Sequence, residues 1–200
     1  MQSTPNLWFT SDTHWNHKNI VKGTTNWGDT NQRCREFDTL EEHNTKIIQN
    51  INEVVKYSDT LYHLGDWSFG GFEAIKKFRD QLHCRTIHLV FGNHDHHIEN
   101  NRENCQDLFA SAQYYKEFST TWGQRIILSH YAMRVWNKSH HGSWMLYGHS
   151  HGTLSGYEGY KTMDVGVDTN DLKPYSIEDL KHILDKRTVL QADHHNPTTN

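Results

Sequence analysis

Short apolar runs alternate with polar stretches along the chain, and five of these runs end in a similar way. They begin at Leu7, Leu61, Ile87, Ile126 and Met145, and their length is typical of a buried β-strand. Each run passes through a Ser or Gly and then reaches an Asp, Asn or His. Because α/β proteins place ligands just beyond the C-terminal ends of their strands, this pattern predicts five strands that deliver polar side chains to one cluster.

Longer segments between the runs have the spacing of amphipathic helices. Thr39 and Glu42 form a capping box ahead of a helix predicted to continue to about Lys56. A second helix is predicted over 72–82, and a last one begins after Ser176. Strands and helices that alternate in this way predict an α/β or α+β fold.

Three other segments have weaker patterns. Residues 114–118 and 124–128 are predicted to pair as a hairpin, and a further strand is predicted around 162–167. The polar segment 96–112, which contains a short helical stretch, is predicted to form a lid over the cluster.

Length and composition favour one domain with an aromatic core. The 200 residues include only 34% in the hydrophobic set, but seven Trp, nine Tyr and eight Phe supply large apolar surfaces. We predict a single domain over residues 1–192, followed by a polar tail over 193–200 that has no core-forming pattern.

Charge and cysteine content restrict the class of partner and the compartment. The net charge is −4 and there is no run of Lys or Arg, which disfavours a duplex nucleic-acid footprint but leaves short or single-stranded nucleic acid open. Cys34, Cys84 and Cys105 have no metal-type spacing, which favours reduced thiols and a cytoplasmic location. We see no signal peptide and no membrane span.

Seven residues beyond the five runs offer a carboxylate or amide oxygen or an imidazole nitrogen. They are Asp12, His14, Asp66, Asn93, His130, His149 and His151. Oxygen and imidazole ligands without thiolate suit Mn, with Fe, Zn, Ni and Co as alternatives. One ion takes about three or four protein ligands, so seven favour two divalent ions that share a carboxylate. Two such ions ~3.5–4 Å apart form a known clamp for displacement at phosphorus.

Two neighbouring residues are candidates for proton chemistry. His94 follows the proposed ligand Asn93, so its ring can lie near the ions without binding them. This position suits a general acid for the leaving oxygen, and Asp95 is available to orient it.

The order of these motifs resembles the calcineurin-like metallophosphoesterase superfamily. The order is Asp-x-His, Gly-Asp, Gly-Asn-His-Asp, an isolated His and Gly-His-x-His, and it extends from Asp12 to His151. Segments 9–14, 63–66 and 163–168 look like the small single-domain bacterial and phage members of that superfamily. The resemblance implies a four-layer αββα sandwich of two mixed sheets flanked by helices. It also implies hydrolysis of a phosphodiester or a small nucleotide-like phosphoester through attack by a metal-bound hydroxide.

The resemblance also implies how the ligands divide between the ions. One ion would be held by Asp12, His14, Asp66 and His151. The other would be held by Asp66, Asn93, His130 and His149, so that Asp66 bridges them. His94 matches the catalytic histidine of the superfamily.

Residues outside the metal motifs are assigned from their positions in sequence. Asn16 and His17 follow the first ligands, and Arg35 lies beyond a polar loop, so all three are predicted to contact the substrate. A guanidinium suits bidentate contact with phosphate. His63 lies inside an apolar run and is predicted to be a core residue, whereas His43 is predicted to be a surface residue of the first helix.

Three other functions are alternatives to a phosphoesterase for small substrates. A nuclease for single-stranded or short nucleic acid would use the same chemistry but show a strong salt dependence. A non-catalytic scaffold on the same fold predicts an incomplete ligand set, and a His-rich storage protein predicts ligands without strand-end order. The sequence has the complete set in strand-end order, which favours the enzyme.

Overall fold

Two mixed β-sheets form the centre of the protein in a computed structural model that describes residues 5–26, 34–156 and 159–191. The strands are β1 (Leu7–Thr10), β2 (Thr60–His63), β3 (Thr86–Val90), β4 (Ser111–Gln113), β5 (Tyr115–Ser119), β6 (Arg125–Ser129), β7 (Trp144–Tyr147), β8 (Thr162–Asp164) and β9 (Tyr175–Ser176). The first sheet has the order β4-β3-β2-β1-β9, and the second has the order β5-β6-β7-β8.

The strand directions bring the predicted ligands to one edge. Strands β1 to β4 are parallel to one another, and β9 is antiparallel to β1. In the second sheet β6, β7 and β8 are parallel, and β5 pairs with β6 as the predicted hairpin. The C-terminal ends of parallel strands lie at the same edge of a sheet, which is where open α/β folds bind their ligands.

Five α-helices accompany the sheets in the described residues. They are α1 (Leu40–Val54), α2 (Gly71–Asp80), α3 (His96–Asn100), α4 (Arg102–Cys105) and α5 (Ile177–Leu184). The predicted capping boxes are present at the starts of α1 and α5. α1 ends before the predicted Lys56 because Val55 adopts an extended conformation.

The core between the sheets follows from alternation along the strands. In β6 the side chains of Ile126 and Leu128 belong to the cluster that also contains Phe9 of β1, whereas Ile127 belongs to a separate cluster. Successive side chains of a strand point to opposite faces, so this division places the first core between the two sheets. Each fully buried side chain of this kind contributes about 1.5–3 kcal/mol.

The outer faces of the sheets are covered by different elements. α1 and α2 pack Ile47, Ile51 and Phe78 against Ile87 and other residues of the first sheet. On the second sheet, Trp136 and Leu190 pack against Ile127, Met145 and Tyr147. Two mixed sheets with flanking helices confirm the predicted fold class.

Segment 96–112 is not a lid, contrary to the sequence prediction. It contains α3 and α4 and ends in β4, and Ile98, Cys105 and Phe109 are buried in the same core as α1 and α2. Ile98, Cys105 and Phe109 have the spacing of one helix face, but the polar residues between them gave the segment the composition of a loop. Among the described residues, no helix has both the length and the apolar character needed to cross a membrane. The predicted tail over 193–200 lies outside the described residues.

Candidate metal centre

The C-terminal ends of both sheets bring the predicted ligands into two groups. One group consists of Asp12, His14 and His151, and the other of Asp66, His130 and His149. Within each group, one possible ligand atom from each residue lies within 4.8 Å of the others. The groups match the division that the motif order implied.

Asp66 lies between the two groups. Its Oδ2 atom is 3.4 Å from Nε2 of His14 and 3.6 Å from Nε2 of His130. Asn93 lies beside the second group, where its Oδ1 atom is 3.0 Å from Nε2 of His130 and 2.9 Å from Nδ1 of His149. One carboxylate within reach of both groups is the arrangement that two ions with a shared ligand require.

Most of these residues have a strained backbone. Five of the seven predicted ligands have φ in the left-handed region: Asp12 at 56°, His14 at 45°, Asp66 at 57°, His149 at 66° and His151 at 46°. Each such residue costs on the order of 1–3 kcal/mol and persists only where its surroundings hold it. Hydrogen bonds between the loop after β1 and the loop after β2 supply part of this support. The N–H of Asp12 donates to the carbonyl of Gly65, and the N–H of His14 donates to the carbonyl of Asp66.

Glycines at the strand ends permit this close approach of the loops. A Cβ atom on Gly92 would lie 2.3 Å from Oδ1 of Asp66, and one on Gly148 would lie 1.9 Å from Oγ of Ser11. Both distances are far below van der Waals contact, so the small residues noted in the sequence are required for packing around the ligands.

His14 provides a test of whether the residues fit a metal ion. Its side chain is 4% exposed, and neither ring nitrogen has a hydrogen-bond partner among the described residues. Buried polar atoms normally have a partner. Carboxylate oxygens of Asp12 and Asp66 lie 3.8 and 3.4 Å from Nε2 of His14, so a metal ion bound by all three residues would supply that partner. Burial, together with the nearby charge of Asp66, raises the pKa of Asp12 to about 7. A divalent cation would offset this cost, so the residues fit such ions.

Hydrogen bonds at Nδ1 orient two of the ligand histidines. The Nδ1 atom of His130 is 2.7 Å from the carbonyl oxygen of Leu64, and that of His151 is 2.6 Å from Oδ2 of Asp168. With the proton on Nδ1, each ring donates there and turns its Nε2 lone pair towards a carboxylate, which is that of Asp66 for His130 and that of Asp12 for His151. This is the usual second contact of a metal-binding histidine.

Arg35 is occupied by protein atoms and does not present a free edge to phosphate. Its Nε and Nη2 donate to the two carboxylate oxygens of Asp168 at 2.8 and 2.9 Å. Nη2 also donates to the carbonyl of Asp12, and Nη1 to the carbonyl of Thr13 and to Nε2 of His43. A guanidinium has five N–H donors, and all five have partners here. These contacts differ from the predicted phosphate clamp, because they leave no N–H of the guanidinium for a phosphate.

His43 and Asp168 complete this network, and sequence reasoning assigned neither of them to the site. His43 is fully buried, and burial lowers its pKa to about 4, so its neutral ring accepts from Arg35. The prediction of a surface residue is wrong here. Burial opposes ionisation of Asp168, but its hydrogen bonds to Arg35 and His151 hold its pKa well below the ordinary value.

The carboxylate of Asp95 accepts hydrogen bonds from the backbone of two loops. This buried group accepts them from the N–H groups of Asp66, Trp67 and Gly92 at 2.8 to 2.9 Å. Burial nevertheless raises its pKa to about 7. The carboxylate therefore ties the loop after β2 to the loop after β3, which differs from the predicted catalytic role.

His94 lies on the wall of the site, next to aromatic rings. Its ring centroid is 4.8 Å from that of Phe69 and 5.6 Å from that of His14, and its backbone N–H donates to Oδ1 of Asp66 at 2.9 Å. The ring of His17 stacks on the ring of Phe69, with their centroids 3.8 Å apart. Asn16 donates from its side chain to the carbonyl of Phe69, so it fixes this loop. Phe69 lies in a loop without a motif and was not singled out from the sequence.

The two ligand groups open into one cavity of about 1220 Å³. His14, Asp66, Asn93, His94 and His149 line its metal-binding part. His17 and Arg35 also line it, whereas Asn16 does not. A space of this size accommodates an organic group together with a phosphate.

Comparisons with known proteins agree with the motif order. A protein from Methanocaldococcus jannaschii, described as uncharacterized, is 29% identical over 191 residues, which cover 93% of this chain and 95% of that protein. The gene 66 protein of Mycobacterium phage L5 is 26% identical over 192 residues, with 82% and 86% of the two chains covered. A crystal structure of an Aquifex aeolicus protein of unknown function has a TM-score of 0.67 and 26% identity, and covers 90% of this chain and 100% of that one. The family model described as "Calcineurin-like phosphoesterase superfamily domain" matches residues 6–166, so the chain belongs to the calcineurin-like phosphoesterase superfamily.

Proposed function

We propose that the protein is a dinuclear metal-dependent phosphoesterase that hydrolyses a phosphodiester or a small nucleotide-like phosphoester. The observation that carries this proposal is the position of Asp66, whose Oδ2 atom lies within 3.6 Å of a histidine from each ligand group. A carboxylate within reach of both groups suits a ligand shared by two ions.

The ligand groups define the two sites. Asp12, His14 and His151 would hold one ion, and His130, His149 and Asn93 the other, with Asp66 shared. Divalent ions at these positions would supply Lewis-acid stabilisation of the phosphoryl oxygens and lower the pKa of water. Mn²⁺ suits the mixture of oxygen and nitrogen ligands and is the ion that we would test first.

His94 has the geometry of the proton donor for the leaving group. It lines the cavity beside Asp66 but belongs to neither ligand group. The attacking water loses a proton to solvent and adds to phosphorus as hydroxide. As the bond to the leaving oxygen breaks, the protonated form of His94 gives its proton to that oxygen, which departs as an alcohol. The ring of His94 is held in the cavity by its contact with Phe69 and by the hydrogen bond from the backbone N–H of His94 to Asp66.

The number of ions is the direct test of the proposal. We expect metal-free protein titrated with Mn²⁺ to bind two ions per chain, measured by calorimetry and by elemental analysis after desalting. His130→Ala should retain the group around Asp12 and bind one. Saturation at one ion in the unaltered protein, with full phosphoesterase activity, would contradict the dinuclear assignment.

The network behind His151 leads to a separate prediction for one site. Asp168→Asn removes the charge that orients His151 and neutralises Arg35, so the affinity of the site around Asp12 should fall by about 10–100-fold. The site around His130 should keep its affinity, because its own orienting contact is the carbonyl of Leu64. Calorimetric titration with Mn²⁺ separates the two sites.

Asp171→Asn is the matched control, because it makes the same change on an exposed neighbour whose carbonyl is bonded by Asn50. Equal weakening of both sites in Asp168→Asn would indicate a general loss of structure and contradict the positioning role. Arg35→Lys should reproduce the effect of Asp168→Asn, because one ammonium cannot replace the five donors of Arg35.

A further inference from the structure

The cavity that contains the metal ligands continues over an apolar surface. Ile20, Phe37, Leu154 and Leu172 line this second part. We call these four side chains the apolar wall. None of them belongs to the metal motifs, and none was assigned a role from the sequence.

The apolar wall is built around the Arg35–Asp168 pair. The N–H of Arg35 donates to the carbonyl of Ile20, and the N–H of Phe37 donates to the carbonyl of Arg35. Leu154 follows the ligand His151, and Leu172 follows Asp168 by one short turn. The wall therefore begins directly beside the site around Asp12.

Leu172 lies on a strained turn, where it lines the cavity and also packs against the core of the first sheet. Asp171 and Leu172 have φ of 49° and 58°, a region that bulky side chains rarely adopt. The side-chain amide of Asn50 donates to both of their carbonyl oxygens at 3.1 Å, and the N–H of Leu172 donates to Val167. Strain of this kind is concentrated at sites that clamp ligands.

Charge along the cavity restricts what else can bind there. Among the described lining residues, only Arg35 has a fixed positive charge, and all its N–H groups have protein partners. Glu36 adds a negative charge, which pairs with Lys22 at 2.7 Å. Among the described lining residues, a second phosphate on the substrate would therefore find no fixed cation that is not already paired.

We propose that the apolar wall binds the alkyl or aryl group of a phosphoester that carries a single phosphoryl group. This proposal rests on the proposed function, because it requires the phosphoryl group to sit at the metal ligands. It disfavours substrates with several phosphates, such as nucleoside polyphosphates and oligonucleotides. Removal of the apolar group from water lowers the free energy of binding. The predicted metal ligands determine the position of the phosphoryl group.

Binding of non-hydrolysable phosphonates tests the proposal without requiring turnover. On protein loaded with Mn²⁺, benzylphosphonate should bind at least about tenfold more tightly than methylphosphonate by calorimetry, because it adds a phenyl ring to be buried. 4-Carboxybenzylphosphonate, which adds a second anion, should bind more weakly than benzylphosphonate.

Substitutions in the wall should remove the preference for benzyl. Leu172→Asn is chosen because Asn tolerates the left-handed backbone, and Leu154→Asn because that side chain is already 37% exposed. Each should reduce the ratio of the two dissociation constants severalfold. Val135→Asn alters an exposed apolar residue outside the cavity and should leave the ratio unchanged.

Three results would overturn the proposal: equal affinities or no binding of the two simple phosphonates, a preference that survives both wall substitutions, or tighter binding of the carboxylated probe. Failure of the proposed function looks different. Protein that prefers benzylphosphonate but hydrolyses no phosphoester would keep the apolar subsite and lose the catalytic assignment.

Discussion

Asp66→Asn is expected to weaken both metal sites together and to lower phosphoesterase activity by about 10³-fold or more. The change removes a negative charge from an atom 3.4 Å from His14 and 3.6 Å from His130. Charge stabilisation at a centre of this kind is worth several kcal/mol, and each ~1.4 kcal/mol corresponds to a factor of ten in rate.

The substitution is conservative for the surrounding loops. Oδ1 of Asp66 accepts the N–H of His94, and the amide oxygen of an asparagine can accept the same hydrogen bond. The metal-free variant should therefore unfold at a temperature close to that of the metal-free parent, while Mn²⁺ calorimetry shows both binding steps weakened.

Asp59→Asn is the matched control for a buried carboxylate away from the centre. Asp59 is 4% exposed and accepts from the N–H groups of Asn6 and Lys56 and from the indole of Trp8. This variant should lose stability and keep two ions. If Asp66→Asn weakened only one binding step, Asp66 would belong to a single site and the shared-ligand assignment would be wrong.

The strand-end positions of the predicted ligands could be read from the sequence because each motif is local. A buried run, a small residue and a ligand lie within a few positions of one another, and parallel strands then bring the ligands to one edge. The capping boxes at Thr39 and Ser176 were predictable for the same reason, since their contacts span three residues.

The network behind the ligands was not predictable, because its contacts join distant parts of the chain. Arg35 and Asp168 are 133 residues apart, and no spacing rule connects them. His43 did carry a signal that was not used. It lies on the same face of α1 as Ile47, Asn50 and Ile51, all of which are buried, so the helical period alone would have placed it inside.

The strained backbone of the ligands is a tertiary property as well. Asp, Asn and His adopt the left-handed region more readily than most residues, but the sequence does not show that five ligands do so together. These conformations are held by hydrogen bonds between loops, including those that Asp95 accepts from Asp66 and Trp67. Sequence reasoning paired Asp95 with His94 because the two are adjacent, and it had no signal for the backbone groups that the carboxylate contacts.

His94→Ala is expected to keep both ions and the fold while lowering the rate on substrates with a poor leaving group by about 10²–10⁴-fold, the usual contribution of a placed general acid. The ring belongs to neither ligand group, so we expect its removal to leave both sets of predicted ligands in place. His97→Ala is the matched control, since that histidine is exposed on α3 and its loss should change little.

The leaving group distinguishes proton donation from other roles of His94. An alkoxide is a strong base and requires a proton as its bond to phosphorus breaks, whereas a nitrophenolate departs with little help. Comparison of kcat/KM for an alkyl and a nitrophenyl ester of the same phosphate should therefore show a large loss on the first and a small loss on the second. Equal losses on both esters, with two ions retained, would mean that His94 stabilises the phosphoryl oxygens instead. Loss of one ion in the variant would make His94 a ligand, and the division of the centre into two groups would then have to include it.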